Sequence, residues 1–193
     1  MKLAHRLAVG VLVVFLSVLV PATVVYAEDA TVGFAAGATA SMFPPPDRGQ
    51  TITLSPGLVI GLYAVIPILK SVSFLPELLY VQKYSHATVD SARTDLRIQY
   101  VELPLLVKMP LIWGIYFTEG VALGFPVQQR GLAPSLAQIT SPDVSIVIGG
   151  GYNLTKKVAI EFRYDSGLRR VSTVPDALVQ RERAYMAIGK LHF

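Results

Sequence analysis

Eight segments of this chain read as β-strands, and the connections between them alternate strictly between short and long. The segments are Ala30–Ser41, Thr53–Ile66, Val72–Tyr84, Asp95–Met109, Gly114–Gly124, Asp143–Tyr152, Lys157–Ser166 and Glu182–Phe193. They are rich in Val, Ile, Tyr, Phe and Gly and lack helical spacing. Tight turns at Pro67–Ser71, Pro110–Trp113 and Asn153–Lys156 follow the even-numbered strands. The connections after odd-numbered strands, Met42–Ile52, Ser85–Thr94, Phe125–Pro142 and Gly167–Arg181, are longer and more polar. A soluble sandwich has no reason to sort its connections this way, whereas a barrel set in a membrane has short turns at one end and long loops at the other. The expected fold is therefore all-β: an eight-stranded antiparallel transmembrane up-and-down β-barrel.

Strand length and patterning fit that expectation. Most segments run about ten residues or more, longer than the globular mode and suited to a tilted crossing of a bilayer. After Ala27 no stretch offers about 18 apolar residues free of proline and charge, so no transmembrane helix is visible. In strand four Glu102, Pro104, Leu106 and Lys108 share one side, and Leu103, Leu105, Val107 and Met109 the other. In strand seven Ala159, Glu161, Arg163 and Asp165 oppose Val158, Ile160, Phe162 and Tyr164. With lipid as the outer solvent, the charged side becomes the lumen. Glycines at 33, 37, 57, 61 and 149–151 blur the alternation of strands one, two and six.

The ends of the sequence agree with export to such a site. Met1–Ala27 has basic Lys2 and Arg6, an apolar run from Leu7 to Val20 and a small residue at Ala27, the pattern of a cleaved signal peptide. Residues 28–193 then form one barrel domain. Removing Lys2 and Arg6 from the formal charge of +4 leaves +2, because every acidic residue follows Ala27. That balance does not suggest nucleic acid. With no cysteine, the fold needs a stabiliser other than disulfides, which closed backbone pairing in a bilayer supplies. In Arg183–Phe193 the residues Tyr185, Ala187, Gly189, Leu191 and Phe193 share a face, so Leu191 and Phe193 are expected to close the barrel on its lipid side, with Lys190 and His192 inward.

At Tyr100–Lys108 the sequence YVELPLLVK resembles the aromatic-x-Glu-apolar-Pro-Leu-Leu-apolar-Lys strand of a family of small outer-membrane β-barrels that includes the PorT-type proteins. SFLPELLY at 73–80 is similar to the family's third strand, and EFRYDSGL at 161–168, following Asp143–Gly151, to two later ones. The resemblance covers nearly all of 30–193. It implies a fold and a compartment, the cell outer membrane, rather than a reaction. It also implies the barrel-insertion machinery as an assembly partner. Gly189 stands one residue nearer the terminal aromatic pair than in the usual assembly signal.

Chemistry-bearing residues are sparse. His5, His86 and His192 are far apart and there is no cysteine, so neither a metal site nor a cofactor is expected. Ser85 beside His86 is the only adjacent nucleophile–base pair, and neighbours within a loop seldom make a triad, so no enzyme is expected. The charges Glu77, Glu102, Lys108, Glu119, Glu161, Arg163, Asp165 and Lys190 are expected in the lumen. An eight-stranded lumen is just wide enough to be filled by side chains, so these would form a salt-bridged plug; a narrow polar pathway is the alternative. Arg48, Lys83, Arg93, Arg97, Arg130, Arg169, Arg170, Arg181 and Arg183 gather toward the outer rim. There Arg93, Arg97, Arg169, Arg170 and Arg181 would suit the phosphates of an outer-leaflet glycolipid. Tyr63, Tyr80, Tyr84, Trp113, Tyr116, Tyr152, Tyr164, Tyr185 and Phe193 would supply interfacial belts or lumen filling. Two roles remain: a structural or interaction barrel with an envelope protein partner, or a narrow pore or transporter for small solutes. Size and mixed lumen charge favour the first.

Overall fold

The computed structural model describes residues 30–42, 52–89, 92–130, 142–168 and 183–193. The expected leader, most of the proline-rich MFPPPD segment, and Arg48, Arg169, Arg170 and Arg181 lie outside them. Eight strands run β1 (Thr31–Met42), β2 (Ile52–Leu69), β3 (Val72–Val89), β4 (Ala92–Pro110), β5 (Ile115–Arg130), β6 (Asp143–Asn153), β7 (Val158–Gly167) and β8 (Arg183–His192). Each pairs antiparallel with its neighbours in sequence, and β8 pairs back onto β1 from His192 opposite Gly33 to Arg183 opposite Met42. The sheet is thus a closed up-and-down barrel without an edge strand.

The register sets the shape. Thr31 pairs with Val65 and Ile66 with Phe74; Leu75 then pairs with Leu106, and the row continues through Gly120, Val147, Asp165 and Ala184 to Ser41. One circuit therefore climbs β1 by about ten residues, which for eight strands implies a tilt of about 40°. The turn between β4 and β5 is closed by Ile115 N–H donating to Ile112 O at 3.1 Å, with Trp113 and Gly114 at φ of 55° and 81°. Positive φ at both central positions is the type I′ geometry that matches strand twist. It presents Trp113 outward and 84% exposed.

Two departures from regular pairing have a sequence cause. Pro56 carries no N–H, and the β2–β3 register shifts between Ser55 and Val59. Across that gap Thr39 and Ser41 hydroxyls of β1 donate to the carbonyls of Gln82 and Tyr84, each at 2.8 Å. At Gly57 a Cβ would collide with Gln82 O, so only glycine permits this approach. Pro126 likewise coincides with the β4–β5 irregularity at Gln99 and Tyr100.

The segment Ser85–Thr94, expected as a loop, is instead mostly ladder: Ser85 pairs with Leu96 and the hairpin continues to Val89 opposite Ala92. Strand β5 similarly runs on to Arg130. Polar composition suggested that the strands stop here, but a ladder needs only backbone partners, and polar strands can stand in water beyond the apolar band.

The alternation sorts side chains cleanly. Leu58, Leu62, Val121, Ile146, Ile148, Ile160 and Phe162 face outward and are exposed, while Glu77, Glu102, Glu161, Arg163, Asp165 and Lys190 are buried inside. The described outer wall is apolar and the lumen holds the charge, the inversion expected of a membrane-spanning barrel. The lumen assignment of Glu119 is corrected: it lies outward and exposed, between inward Thr118 and outward-exposed Val121 of the same strand. Lys83, grouped with the outer rim, is buried in the lumen. Tyr63 and Tyr116 are lumen residues, whereas Tyr152, Tyr185 and Phe193 face out.

Glycines make room for the two lumen tyrosines. A Cβ at Gly151 would overlap the Tyr116 ring, and one at Gly33 the Tyr63 ring. Neighbouring Gly150 is outward, with only Tyr116 O near its missing Cβ, at 3.7 Å. Gly151→Ala should therefore lower unfolding free energy by about 1–3 kcal/mol through overpacking. Gly150→Ala should stay within about 0.5 kcal/mol. Urea titration of the barrel in detergent micelles reads both; equal effects would contradict this packing.

Candidate functional site

The residues that carry chemistry meet in the lumen as two stacked charge clusters. Their placement follows from the pleat: Glu161, Arg163 and Asp165 are alternate residues of β7, and Glu77 and Lys83 share the inward face of β3 with Leu79 and Val81.

In the cluster nearer the short turns, the Arg163 guanidinium forks onto Glu77, with Nη1 to Oε2 at 2.5 Å and Nη2 to Oε1 at 2.7 Å. Its Nε donates to Glu161 Oε1. Lys190 of β8 bridges the same two acids, at 2.7 Å from Glu161 Oε2 and 2.9 Å from Glu77 Oε1. Tyr116 and Thr118 hydroxyls donate to the two Glu161 oxygens at 3.0 and 3.1 Å. Gly149 stands opposite Arg163, and a Cβ there would press on Arg163 Cγ and Thr118 Oγ1. Two carboxylates and two cations thus neutralise one another out of water, with the bidentate arginine geometry that makes such pairs strong. Charges buried this deeply are tolerated only because each is paired and hydrogen-bonded.

The second cluster lies toward the long connections. Lys83 Nζ is 2.6 Å from Glu102 Oε1 and 3.5 Å from Asp165 Oδ2, and stands 5.0 Å from the centre of the Tyr100 ring. Buried Asp143 is aligned with Glu102 through Gly124, whose missing side chain leaves room for the Tyr100 ring and the Glu102 stem. Asp165 Oδ1 has no hydrogen-bond partner among the described residues.

Below the first cluster aromatic side chains line the lumen. Tyr63 OH pairs with His192 Nδ1 at 2.9 Å, the rings meeting edge to face. Lys190 lies over Tyr63 at 5.0 Å and Lys108 over Tyr116 at 4.0 Å. Aliphatic side chains fill the remaining wall, with Val59, Leu75, Leu79, Val81, Leu106 and Ile188 all buried together.

Of the expected lumen set, the structure joins Glu77, Glu161, Arg163 and Lys190 in one cluster, and Glu102 and Asp165 in the other. Lys108 is set apart on Tyr116, and Glu119 is outside. Sequence reasoning missed Lys83, although its even spacing from Glu77 marks it as inward, and Asp143, whose strand is blurred by glycines. Leu191 pairs with Phe34 and Val158, and Phe193 N–H donates to Val32 O at 3.0 Å. Among the expected rim arginines, Arg97 is exposed with its guanidinium 5.4 Å from the Tyr84 ring centre. Arg93 pairs through its backbone with Thr88. Among the described residues no group of histidine and acidic side chains is arranged to hold a metal ion.

No protein-family model matches the sequence, and neither does any curated protein. Among solved structures the barrel is similar to Neisserial surface protein A, at 13% identity and a TM-score of 0.51, covering 86% of this chain and all of that one. Outer membrane protein OprG of Pseudomonas aeruginosa aligns over 84% of this chain and 96% of its own, at 13% identity and a TM-score of 0.44. The NanC porin aligns over 84% and 98%, at 11% identity and a TM-score of 0.33. At these identities, the likeness to Neisserial surface protein A is one of fold: a small eight-stranded barrel of the kind that protein represents.

Proposed function

We propose that this chain is an outer-membrane barrel of a Gram-negative-type envelope, exported by a cleaved signal peptide, whose role is structural or interactive rather than conductive. The observation that carries this reading is the filled lumen: one charge-balanced cluster of two carboxylates and two cations, a second in which Lys83 bridges Glu102 and Asp165, two tyrosines seated against glycines, and a buried aliphatic wall. The apolar outer wall and the export leader support the compartment. The charges of the YVELPLLVK and EFRYDSGL motifs are lumen residues, and most of them join the two clusters. On the resemblance of these motifs we also propose kinship with the small-barrel family that includes PorT-type proteins. The partners in this reading are outer-membrane lipid, the insertion machinery during assembly, and an envelope protein.

Two measurements test the plug. In planar bilayers the protein should show no steady conductance; a reproducible open level would favour the narrow-pore alternative. Replacing Arg163 with Met leaves Lys190 as the one cation of this cluster for both Glu77 and Glu161, and should cost about 3–5 kcal/mol in urea unfolding from micelles. A loss below 1 kcal/mol would remove the network from its stabilising role.

Arg97, exposed at the long-connection end, is proposed to meet glycolipid phosphate together with the arginines expected there from the sequence. Arg97→Gln combined with Arg169→Gln and Arg170→Gln should reduce co-purifying glycolipid severalfold. Unchanged co-purification would exclude this contact.

A further inference from the structure

Glu119 is a carboxylate on the wrong side of the wall. Its backbone neighbours across the sheet are Val107 and Ile148. Around it Val121, Ile146 and Ile148 present exposed aliphatic side chains. Among the described residues it has neither an ion pair nor a hydrogen bond. Its depth follows from the register. Four residues along a strand tilted by about 40° place it roughly 10 Å above Ile115, and so roughly 7 Å above belt residue Tyr152, which pairs with Ile115 one strand further up the row. The row Glu119–Ile148–Tyr164–Tyr185 climbs three strands, which puts Tyr185 roughly 10 Å above it. Glu119 therefore lies between the two aromatic levels, where neither water nor headgroups reach it. A charge there is costly, and its presence points to a partner.

We propose that the outer face of β5 and β6 around Glu119 is a docking surface, within the bilayer, for a different membrane protein that presents a lysine or arginine at mid-depth. Charge complementarity selects this occupant over lipid, whose tails offer no donor. A second copy of this chain fits poorly. A two-fold pair in a membrane turns about the bilayer normal, so its surfaces meet at equal depth. Among the described outward residues no cation lies at the depth of Glu119: Lys70, Lys156 and Lys157 occupy the short turns, and Arg97 and Arg183 the opposite end. Beside Glu119, exposed Gly150 separates outward Phe117 and Phe162, leaving a notch for an incoming side chain.

This inference rests on the membrane-spanning reading, and the experiment separates the two. The chain has no cysteine, so a single Lys156→Cys change takes a donor fluorophore. The labelled barrel is inserted into phosphatidylcholine vesicles with an acceptor-labelled leucine–alanine transmembrane helix carrying one central lysine. Energy transfer should be at least tenfold stronger than with the same helix carrying leucine, and Glu119→Leu should abolish the difference. Equal transfer to both helices, or transfer unaffected by Glu119→Leu, overturns the docking surface; failure of the barrel to insert overturns the membrane reading. In cells, a photocrosslinking residue at Ile148 should give a hetero-adduct absent from Glu119→Leu and from a probe at Leu62 on the opposite wall. A dimer of this chain, or no adduct at Ile148, would overturn the proposal.

Discussion

Everything in this molecule follows from the pairing of β8 with β1. In hydrocarbon an unpaired backbone N–H or C=O costs several kcal/mol, so a sheet can cross a bilayer only if its two edges find each other. The middle of the seam's outward row is built from small residues, Ala36 opposite Gly189 and Ala38 opposite Ala187, flanked by the larger pairs of Phe34 with Leu191 and Ala40 with Tyr185. Once this seam closes, the strand count and stagger are set together, and with them the width of the lumen.

That width decides what the interior can be. Eight strands leave too little room for a water-filled channel, so inward side chains must pack on one another. The interior nevertheless receives charge, because each strand sends alternate residues to a face that lipid cannot touch. The arrangement resolves this by stacking opposite charges at hydrogen-bonding distance and by thinning the wall with glycine where large groups sit. Gly149 accommodates Arg163, and Gly151 and Gly33 accommodate Tyr116 and Tyr63. A glycine-rich strand that looks weak in isolation is thus a recess fitted to a neighbour's side chain.

This division explains what was legible in the sequence. Strands four and seven carry charges at alternate positions, so their parity, and the lumen placement of Glu102, Glu161, Arg163 and Asp165, could be read directly. The eight-strand count came from short turns whose geometry is local. The misreadings arose where polarity and parity part company. In β5 the inward residues are Tyr116, Thr118, Ala122 and the glycines, so a lone Glu119 looks like the lumen's charge although the pleat sends it out. Lys83 looks like a rim residue because it is near a polar segment, although the pleat sends it in. The room that Tyr63 and Tyr116 find in the lumen depends on a missing Cβ opposite each on the adjacent strand, a contact with no local sequence signal.

The same physics gives charges on the two sides of the wall different meanings. Inside, Glu77 and Glu161 are answered within the chain by Arg163 and Lys190, so their cost and compensation belong to folding. Outside, Glu119 has no described counterpart, so folding leaves its desolvation uncompensated. Substituting it with an apolar residue would make the outer wall uniformly suited to lipid. A carboxylate at that depth fits the docking proposed above, in which a second molecule supplies the cation after folding. The interior network belongs to the fold's own packing; among the described outward residues of the membrane-spanning wall, Glu119 is a charge that folding alone does not use.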